Sequence, residues 1–313
     1  IFPILYPNGY DERQVYGNRL ASLLSDRYDN EPDKWKGRPT DPQRFDEEEI
    51  DKRKLSYGKA GFALQFMLNT SLSDYEKYPL KVSDLIVTDL DLNESSLVWS
   101  WCNERSYRHQ ELPCVALKDD YFYAPLTRSK EMGNYQGTVM TIDPSGRGTD
   151  LTAYTIMKYL NGYLYVVDVG GFKEGYEDSV MRALAVKAKF FNVNVCIVEP
   201  NFGNGMFRQL LIPIMKEIYP ECGVEDGKTA KSQKEARIID TLEPVMMKHK
   251  LIMDKRIIEE DYKVYEKDIN HSLIYQLTRL TKDRGSIAHD DKIESLAMAV
   301  EYWLDVMSIH EQQ

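Results

Sequence analysis

The sequence has little of the features that mark specialised classes of protein. No apolar run approaches the roughly 20 residues that a membrane-spanning helix needs, so no membrane association is predicted. The 4 cysteines form neither a CxxC pair nor a zinc-binding spacing. We therefore expect reduced thiols in a cytosolic protein, two of them (Cys196 and Cys222) in apolar strand-like segments. Internal repeats and low-complexity segments are absent as well, which leaves a globular protein.

Acidic residues outnumber basic ones by 50 to 40, and the net charge is -10 at pH 7. This balance argues against a protein that coats nucleic acid by bulk electrostatics, although a local basic groove remains compatible with it. An acidic balance also suits a site that gathers carboxylates around divalent cations. With 313 residues, 42% of them hydrophobic, the chain is long enough for two globular domains.

The phosphate-binding motif GxxxxGK[ST] of ATPases does not occur in the sequence. The chain begins with Ile1 rather than Met, and IFPILYPNGYDE is typical of an internal segment, so we expect a fragment, a processed product or only the ordered part of a longer chain. The polar segment 131–136 predicts a domain boundary, with a smaller, mostly helical and irregular region at 1–132 and an α/β domain at 133–313. Within the first region, Asp46 is a candidate N-cap for a helix that starts near residue 45.

The second region has a clear α/β pattern. Two strands are predicted at 152–159 and 163–169, joined by the hairpin signal Asn161-Gly162, and they follow a strand at 138–142. The nearly unbroken apolar run 193–198 is typical of a strand buried on both faces. Helices are predicted at 176–192, 206–218, 231–247, 256–268 and 291–307, with short strands at 222–224 and 251–253. Alternation over 271–280 predicts one more strand.

Acidic residues stand at three of these element ends. Asp143 ends the first strand of the domain, Glu199 ends the fourth, and Asp290-Asp291 opens the final helix. Taken singly, they have ordinary interpretations as a turn residue, a strand-end residue and a helix cap. Because neighbouring parallel strands bring their carboxyl ends together, Asp143 and Glu199 can be neighbours. Crowded carboxylates need cations, and two Mg²⁺ ions about 4 Å apart activate a water for phosphodiester cleavage.

This order of elements and acids resembles an RNase H-like nuclease. More narrowly, it resembles the C-terminal nuclease domain of the large terminase subunit of tailed bacteriophages, particularly short-tailed ones. The resemblance covers about 135–313 and is carried by DPSGRGTD (143–150), VEPNFGNG (198–205), KSQKEARIIDTLEPVM (231–246) and AHDDKIESLAMAV (288–300). The earlier segment FDEEEIDKRKLSYGKAGFALQFMLN is similar to the part that follows the packaging ATPase core. Residues 1–132 would then be a remnant of the ATPase region and its linker, without the ATPase core itself.

The resemblance implies an RNase H-like mixed β-sheet flanked by helices and a two-metal endodeoxyribonuclease that uses Mg²⁺ or Mn²⁺. Asp143, Glu199 and one or both of Asp290 and Asp291 match the family's metal ligands, and Asp150 falls where some relatives have an auxiliary acid. His289, beside the acidic pair, is either a structural residue or a support for a ligand. Which of Asp290 and Asp291 faces the metals stays open.

Basic residues suggest where DNA would bind. The candidates are Arg147 beside Asp143, then Lys231, Lys234 and Arg237 at helical spacing, and Arg284; Lys228, Lys248, Lys250 and Lys282 extend the set. For any one of these residues, a solvated surface charge is the simpler interpretation. Contacts of this kind to phosphates would carry no sequence preference.

The family resemblance implies an endonuclease of the genome-packaging motor, which cuts concatemeric phage DNA at the start and end of packaging. Its partners would be double-stranded DNA, the portal protein, the small terminase subunit and further copies of itself in a ring. Its location would be the host cytoplasm, at the procapsid portal. Two alternatives stay open: a structural motor fragment with a silent nuclease, and another RNase H-like enzyme such as a transposase or resolvase.

Overall fold

A computed structural model of the chain describes residues 1–68, 77–145, 149–200, 205–228 and 232–310. The chain forms two compact units, Ile1–Tyr78 and Pro79–Gln313. The boundary predicted between residues 132 and 133 falls inside strand β5 (Met132–Asn134), which pairs antiparallel with β2 (Glu94–Ser96). Strand β1 (Ile86–Thr88) belongs to the main sheet of the second unit, so this unit begins well before residue 133.

The first unit is helical. Its helices are α1 (Tyr10–Tyr16), α2 (Ser22–Asn30), the single turn α3 (Pro32–Trp35) and α4 (Glu47–Gln65). The predicted cap of α4 is confirmed, because the Asp46 carboxylate accepts a hydrogen bond of 2.8 Å from the backbone N–H of Glu49. Aromatic residues form much of its core, and the buried Tyr16 hydroxyl donates to the carbonyl oxygen of Met67 at 2.6 Å.

The second unit is built on a seven-stranded mixed sheet with the order β1-β11-β8-β7-β6-β9-β10. Besides β1, its strands are β6 (Gly137–Asp143), β7 (Thr152–Leu160), β8 (Tyr163–Phe172), β9 (Val195–Val198), β10 (Gly223–Asp226) and β11 (Leu251–Asp254). The meander β6-β7-β8 is antiparallel, whereas β9, β10, β11 and β1 add to it in parallel. A smaller antiparallel pair joins β3 (Trp99–Ser100) to β4 (Thr127–Arg128). The predicted mixed sheet flanked by helices is therefore confirmed.

The tight turn between β7 and β8 follows from its two residues. Asn161 has a φ of 49° and Gly162 a φ of 77°. Both angles are positive, as a two-residue turn that matches the twist of a hairpin requires. The hairpin predicted from Asn-Gly is therefore present.

Helices cover both faces of the sheet. They are α5 (Asp178–Phe190), α6 (Met206–Ile218), α7 (Lys234–Met247), α8 (Lys255–Tyr265), α9 (Leu273–Arg279) and α10 (Asp291–His310). The strand predicted at 271–280 is wrong, because this segment contains α9. The Ser272 side chain caps α9 by accepting from the N–H of Tyr275 at 3.2 Å. Asp261 accepts further hydrogen bonds from its first residues, so contacts distant in sequence decide the conformation.

The alternation of side chains along β6 and β9 divides the core in two. Met140, Ile142, Cys196 and Val198 face a core that contains residues of α5 and α6. Val139, Val195 and Ile197 face a second core, shared with residues of α7, α9 and α10. Successive residues of a strand point to opposite faces, so Asp143 and Glu199 project to the side of α7 and α10. Among the described residues, no helix is long and apolar enough to span a bilayer.

Candidate active site at the end of β6

Asp143 and Glu199 stand next to each other at the carboxyl ends of two parallel strands. In the register of β6 and β9, Ile142 lies opposite Val198. The N–H of Glu199 then continues the ladder by donating to the carbonyl oxygen of Ile142 at 2.9 Å. Asp143 is 8% exposed, although it is a strand-end carboxylate. The predicted neighbourhood of these two acids is therefore present in the structure.

Helix α10 packs across this edge through a small polar contact. Thr141, which shares a face of β6 with Asp143, donates from its hydroxyl to the carbonyl oxygen of Ser295 at 2.6 Å. The Ser295 hydroxyl lies 2.8 Å from that of Thr155 on β7. At the other end of β6, a Cβ on Gly137 would stand 2.6 Å from the ring of Trp303, so glycine permits the close approach of the helix. The first turn of α10 thus lies over the end of β6.

Asp291, the first residue of α10, is buried and held by the chain that enters β7. Its Oδ2 atom accepts a hydrogen bond of 3.0 Å from the backbone N–H of Leu151. Burial raises the pKa of the Asp291 carboxyl to about 6, against the lowering effect of that N–H, and the charges of Asp150 and Asp290 add to the rise. Asp291 is therefore a carboxyl group that binds a proton more readily than an exposed aspartate does.

Asp143 is perturbed in the same direction. Burial raises its pKa well above the ordinary value, and the neighbouring charges of Glu294, Glu199 and Asp291 raise it further. The Lys234 ammonium group partly opposes this shift. Three carboxylates therefore act on Asp143 at this edge of the sheet, and one of them, Glu294, was not identified from the sequence.

Glu294 lies at the centre of a charge network between α7 and α10. Its side chain is 3% exposed, and it pairs with Lys234 and, at 2.6 Å, with Arg237. Lys234 also contacts Asp290, with a distance of 2.8 Å between Nζ and Oδ1. Burial alone would lower the pKa of Lys234, but Glu294 and Asp290 outweigh it and raise that pKa. Because Glu294 follows Asp291 by three residues, helical spacing alone could have indicated that the two share a side of α10.

Lys292 makes a buried contact that fixes the start of α10. Its Nζ atom lies 2.9 Å from Oδ1 of Asp261, and both side chains are buried. The Asp261 carboxylate also accepts from the N–H groups of Leu273 and Ile274 and from the hydroxyl of Ser272. This pair joins the first turns of α9 and α10 to α8, and it holds the residue that follows Asp291.

A histidine pair borders the acidic cluster. His289 Nδ1 lies 2.9 Å from Oδ1 of the exposed Asp150. The ring of His289 stacks on that of His271, with 4.5 Å between centroids. Burial, together with His289, lowers the pKa of His271. Asp150 thus contacts the site through a histidine.

The residues predicted to bind DNA are in different situations. Arg147 and Lys231 lie outside the described residues. Lys234 and Arg237 form ion pairs with carboxylates of the site, as described above. Arg284 is exposed, in a loop that reaches the start of α7 through a hydrogen bond of 2.7 Å from the N–H of Gly285 to Glu235. In the extended set, Lys282 pairs with Asp240, and Lys228 with Asp305.

An open cavity of about 530 Å³ adjoins the acidic cluster. Glu199 and Glu294 line one part of it, and the cations Lys228, Lys234 and Arg237 also line it. Its wall is acidic, since Glu225, Asp226, Glu301 and Asp305 contribute as well. The cavity is large enough to admit a ligand to the carboxylates.

The donor set fits hard divalent cations. Carboxylate oxygens are the ligands that Mg²⁺ and Mn²⁺ prefer. Asp143, Asp291 and Glu294 are nearly buried, and the pKa of Asp143 is raised partly because like charges crowd it. Two cations bound there would relieve this crowding. Asp143, Glu199 and Asp291 would hold them, with Glu294 and Asp290 as further oxygen donors.

Comparison with known proteins supports the resemblance drawn from the sequence. Residues 142–251 match the family model of the bacteriophage T7 terminase, ribonuclease H-like domain. The large terminase subunit of Enterobacteria phage T3 is 41% identical over 314 aligned residues, which cover 99% of this chain and 53% of that protein. The chain therefore spans about half the length of this relative.

Similar solved structures include three viral terminase nuclease domains. The manganese-soaked, inhibitor-bound domain of human cytomegalovirus is 12% identical, with a TM-score of 0.41 over 56% of this chain and 86% of that one. The domain from bacterial virus Sf6 with manganese is 14% identical, with a TM-score of 0.38 over 53% and 88%. The terminase nuclease of thermophilic phage G20c is 13% identical, with a TM-score of 0.36 over 53% and 81%. The chain is thus similar to the large terminase subunit of phage T3, and residues 142–251 match the RNase H-like domain of the T7 terminase family.

Proposed function

We propose that this chain is a metal-dependent endodeoxyribonuclease of a phage genome-packaging motor, which cuts concatemeric DNA when packaging starts and ends. The observation that carries the proposal is the convergence of Asp143, Glu199 and Asp291 at one edge of the sheet. The relation to the large terminase subunit supports the packaging role. The participation of this chain in a packaging motor, the ATPase that would drive the motor and the positions at which DNA is cut are all parts of this proposal.

The residues of the site would have different roles in cleavage. Asp143, Glu199 and Asp291 would hold two Mg²⁺ or Mn²⁺ ions, which supply an activated water and stabilise the leaving oxygen of the phosphodiester. Glu294 would orient the cluster, because Lys234 and Arg237 fix its carboxylate. Thr141, through Ser295, would keep α10 at the distance that the site requires.

The DNA backbone would approach from the side of the basic residues. Arg284 is exposed near the start of α7, and Arg147 follows Asp143 closely in sequence. We propose that Arg284, Arg147 and Lys231 contact phosphates directly. Lys234 and Arg237 would mainly pair with the acidic cluster, and any contact they make with a phosphate would be secondary. Such contacts position the duplex without reading its sequence. The portal protein, the small terminase subunit and further copies of this chain would bring it to the procapsid in the host cytoplasm.

Nicking of supercoiled plasmid DNA tests the proposal. We expect cleavage with Mg²⁺ or Mn²⁺, none in excess chelator, and inhibition by Ca²⁺, whose looser coordination is unsuited to in-line displacement. Asp143→Asn and Glu199→Gln should each reduce cleavage at least about a hundredfold, since even loss of an outer-shell partner costs about 10- to 100-fold. Asp178→Asn, at a carboxylate that is 69% exposed on α5, is the control and should cut normally.

Each alternative predicts a different result in this assay. Full cleavage in excess chelator, or wild-type cleavage by Asp143→Asn, would refute the proposed mechanism. A folded wild-type chain that never cuts would favour a structural motor fragment. Strand joining in addition to cleavage would favour a transposase.

A further inference from the structure

The structure contains a second set of metal donors beside the carboxylate cluster. One ring nitrogen of His271, one of His289 and one carboxylate oxygen of Asp291 all lie within 4.8 Å of one another. Metal–ligand bonds to imidazole and carboxylate are about 2.0 to 2.2 Å long, so any two ligands of a tetrahedral ion are about 3.4 Å apart. The three donors therefore need to move by less than about 1 Å to close on an ion.

Each of the two histidines has a carboxylate near one of its ring nitrogens. A histidine that binds a metal through one nitrogen usually presents the other to a carboxylate, which orients the ring. His289 Nδ1 lies 2.9 Å from Asp150, and His271 Nε2 lies 3.6 Å from Oδ2 of Asp268. These carboxylates leave Nε2 of His289 and Nδ1 of His271 available.

The second nitrogen of His271 points to a ligand independently of this pattern. His271 is 4% exposed, and its Nδ1 atom is buried without a hydrogen-bond partner in the described part of the chain. Buried polar atoms are nearly always paired, so an orphaned ring nitrogen calls for an explanation. A metal ion shared with His289 and Asp291 would supply the missing partner.

We propose that His271, His289 and Asp291 form a site for a divalent transition cation such as Zn²⁺ or Co²⁺, separate from the proposed Mg²⁺ or Mn²⁺ sites but sharing Asp291 with them. Imidazole nitrogen suits these borderline metals, whereas Mg²⁺ selects oxygen ligands. Binding at the site does not depend on the proposed nuclease activity. If that activity is present, an ion held by the histidines occupies Asp291 and slows cleavage.

Titration with Co²⁺ at several Mg²⁺ concentrations tests the site without DNA. Mg²⁺ occupies the all-oxygen positions, and because the two kinds of site share Asp291, it should also weaken Co²⁺ binding as its concentration rises. We expect one Co²⁺ per chain, with a visible absorption band that Zn²⁺ abolishes by displacement. His271→Gln and His289→Gln should each weaken Co²⁺ binding at least about tenfold. His109→Gln is the matched control: His109 also pairs with a carboxylate, Glu111, but its other nitrogen is occupied by the carbonyl oxygen of Val87.

The outcomes separate this proposal from the nuclease proposal. Wild-type Co²⁺ binding by both histidine variants, or no Co²⁺ bound at any Mg²⁺ concentration, would overturn the site whatever the DNA assay shows. Thermal unfolding without metal checks that the variants are folded; should His271→Gln fail to fold, the partly exposed His289 carries the test. In the nicking assay, Zn²⁺ should inhibit the wild type in Mg²⁺, and His271→Gln should be resistant to Zn²⁺ with an unchanged rate in Mg²⁺ alone.

Discussion

Lys292 and Asp261 form an ion pair in which Nζ and Oδ1 are 2.9 Å apart and each side chain is 4% exposed. Because the Asp261 carboxylate also binds the first N–H groups of α9, the pair ties α10 to α8 and α9 at one point. Lys292 directly follows Asp291, so this buried charge pair sets where the first turn of α10 lies. The Lys292–Asp261 pair therefore stabilises the fold and also positions Asp291, the proposed metal ligand.

Replacing Lys292 with methionine should destabilise the second unit strongly. The substitution removes one partner of a buried pair and leaves the Asp261 carboxylate without a counter-charge, which typically costs about 3 to 5 kcal/mol. Chemical denaturation of the wild type, Lys292→Met, Asp261→Asn and the double variant gives the coupling between the two residues. Additive losses in the double variant would contradict a direct interaction.

Glu294→Gln should impair both stability and cleavage. The change keeps the size of the side chain but leaves Lys234 and Arg237 with one carboxylate fewer, and we expect a loss of about 1 to 3 kcal/mol because Lys234 is partly exposed. Nicking should fall, since the charge of Glu294 acts directly on Asp143. Glu301→Gln is a suitable control, because Glu301 lies farther from Arg237, at 3.8 Å, and is 37% exposed. Equal effects of the two substitutions would remove Glu294 from the site.

Most strands and helices of the second unit could be predicted because their patterns are local. The run at 193–198 and the Asn161-Gly162 turn carry their own signals, and β9 and the hairpin are found where these signals lie. The segment at 271–280 could not be predicted in this way, because the caps of α9 come from Ser272 and from the distant Asp261. Apolar alternation over so short a segment does not distinguish a strand from a buried helix.

The candidate site shows the same limit. Asp143 and Glu199 could be placed together from topology alone, since parallel strands fix where their ends meet. The pairing of Lys234 and Arg237 with Glu294 could not, because their spacing indicates only a shared side of a helix and not what that side faces. The contact of His289 with His271 likewise joins residues from separate segments.

Arg284→Gln should weaken DNA binding without changing its sequence preference. The residue is exposed, and a phosphate contact by its guanidinium would release about one counterion. Measured across salt concentrations, the slope of log affinity against log salt should become shallower by about 1. Lys282→Gln, two positions earlier and already paired with Asp240, should change the slope less. An unchanged slope for Arg284→Gln would place the duplex elsewhere.

Asp290 and Asp291 should differ in their importance for cleavage. Asp290 occupies the N-cap position of α10, its carbonyl oxygen accepting from the N–H of Glu294 at 2.9 Å, and its carboxylate contacts Lys234. Asp291 is the more buried of the two and acts on Asp143. Nicking should fall in both Asn variants, by at least about a hundredfold in Asp291→Asn and by less in Asp290→Asn. Wild-type rates for both would exclude this motif from the metal site.

The pKa of Asp291 makes stability depend on pH in a defined direction. Burial raises the pKa of this carboxyl from its ordinary value of 3.8 to about 6 in the folded chain. The folded state then binds the proton more tightly than the unfolded state does. The stability that this group contributes is fully present below about pH 4 and is lost as the pH rises through about 6.

Asp291→Asn should therefore gain stability relative to the wild type as the pH rises from 4 to about 6, when both are measured in chelator. Asn does not titrate, and a shift of about 2 pKa units corresponds to a relative gain of about 1 to 3 kcal/mol. Mg²⁺ should stabilise the wild type at pH 7 more than at pH 4.5, because protonated carboxyls do not bind it. Asp178→Asn, at an exposed carboxylate, should keep the pH dependence of the wild type and its stabilisation by Mg²⁺. A constant difference between Asp291→Asn and the wild type across this range would mean that Asp291 titrates like an ordinary surface aspartate.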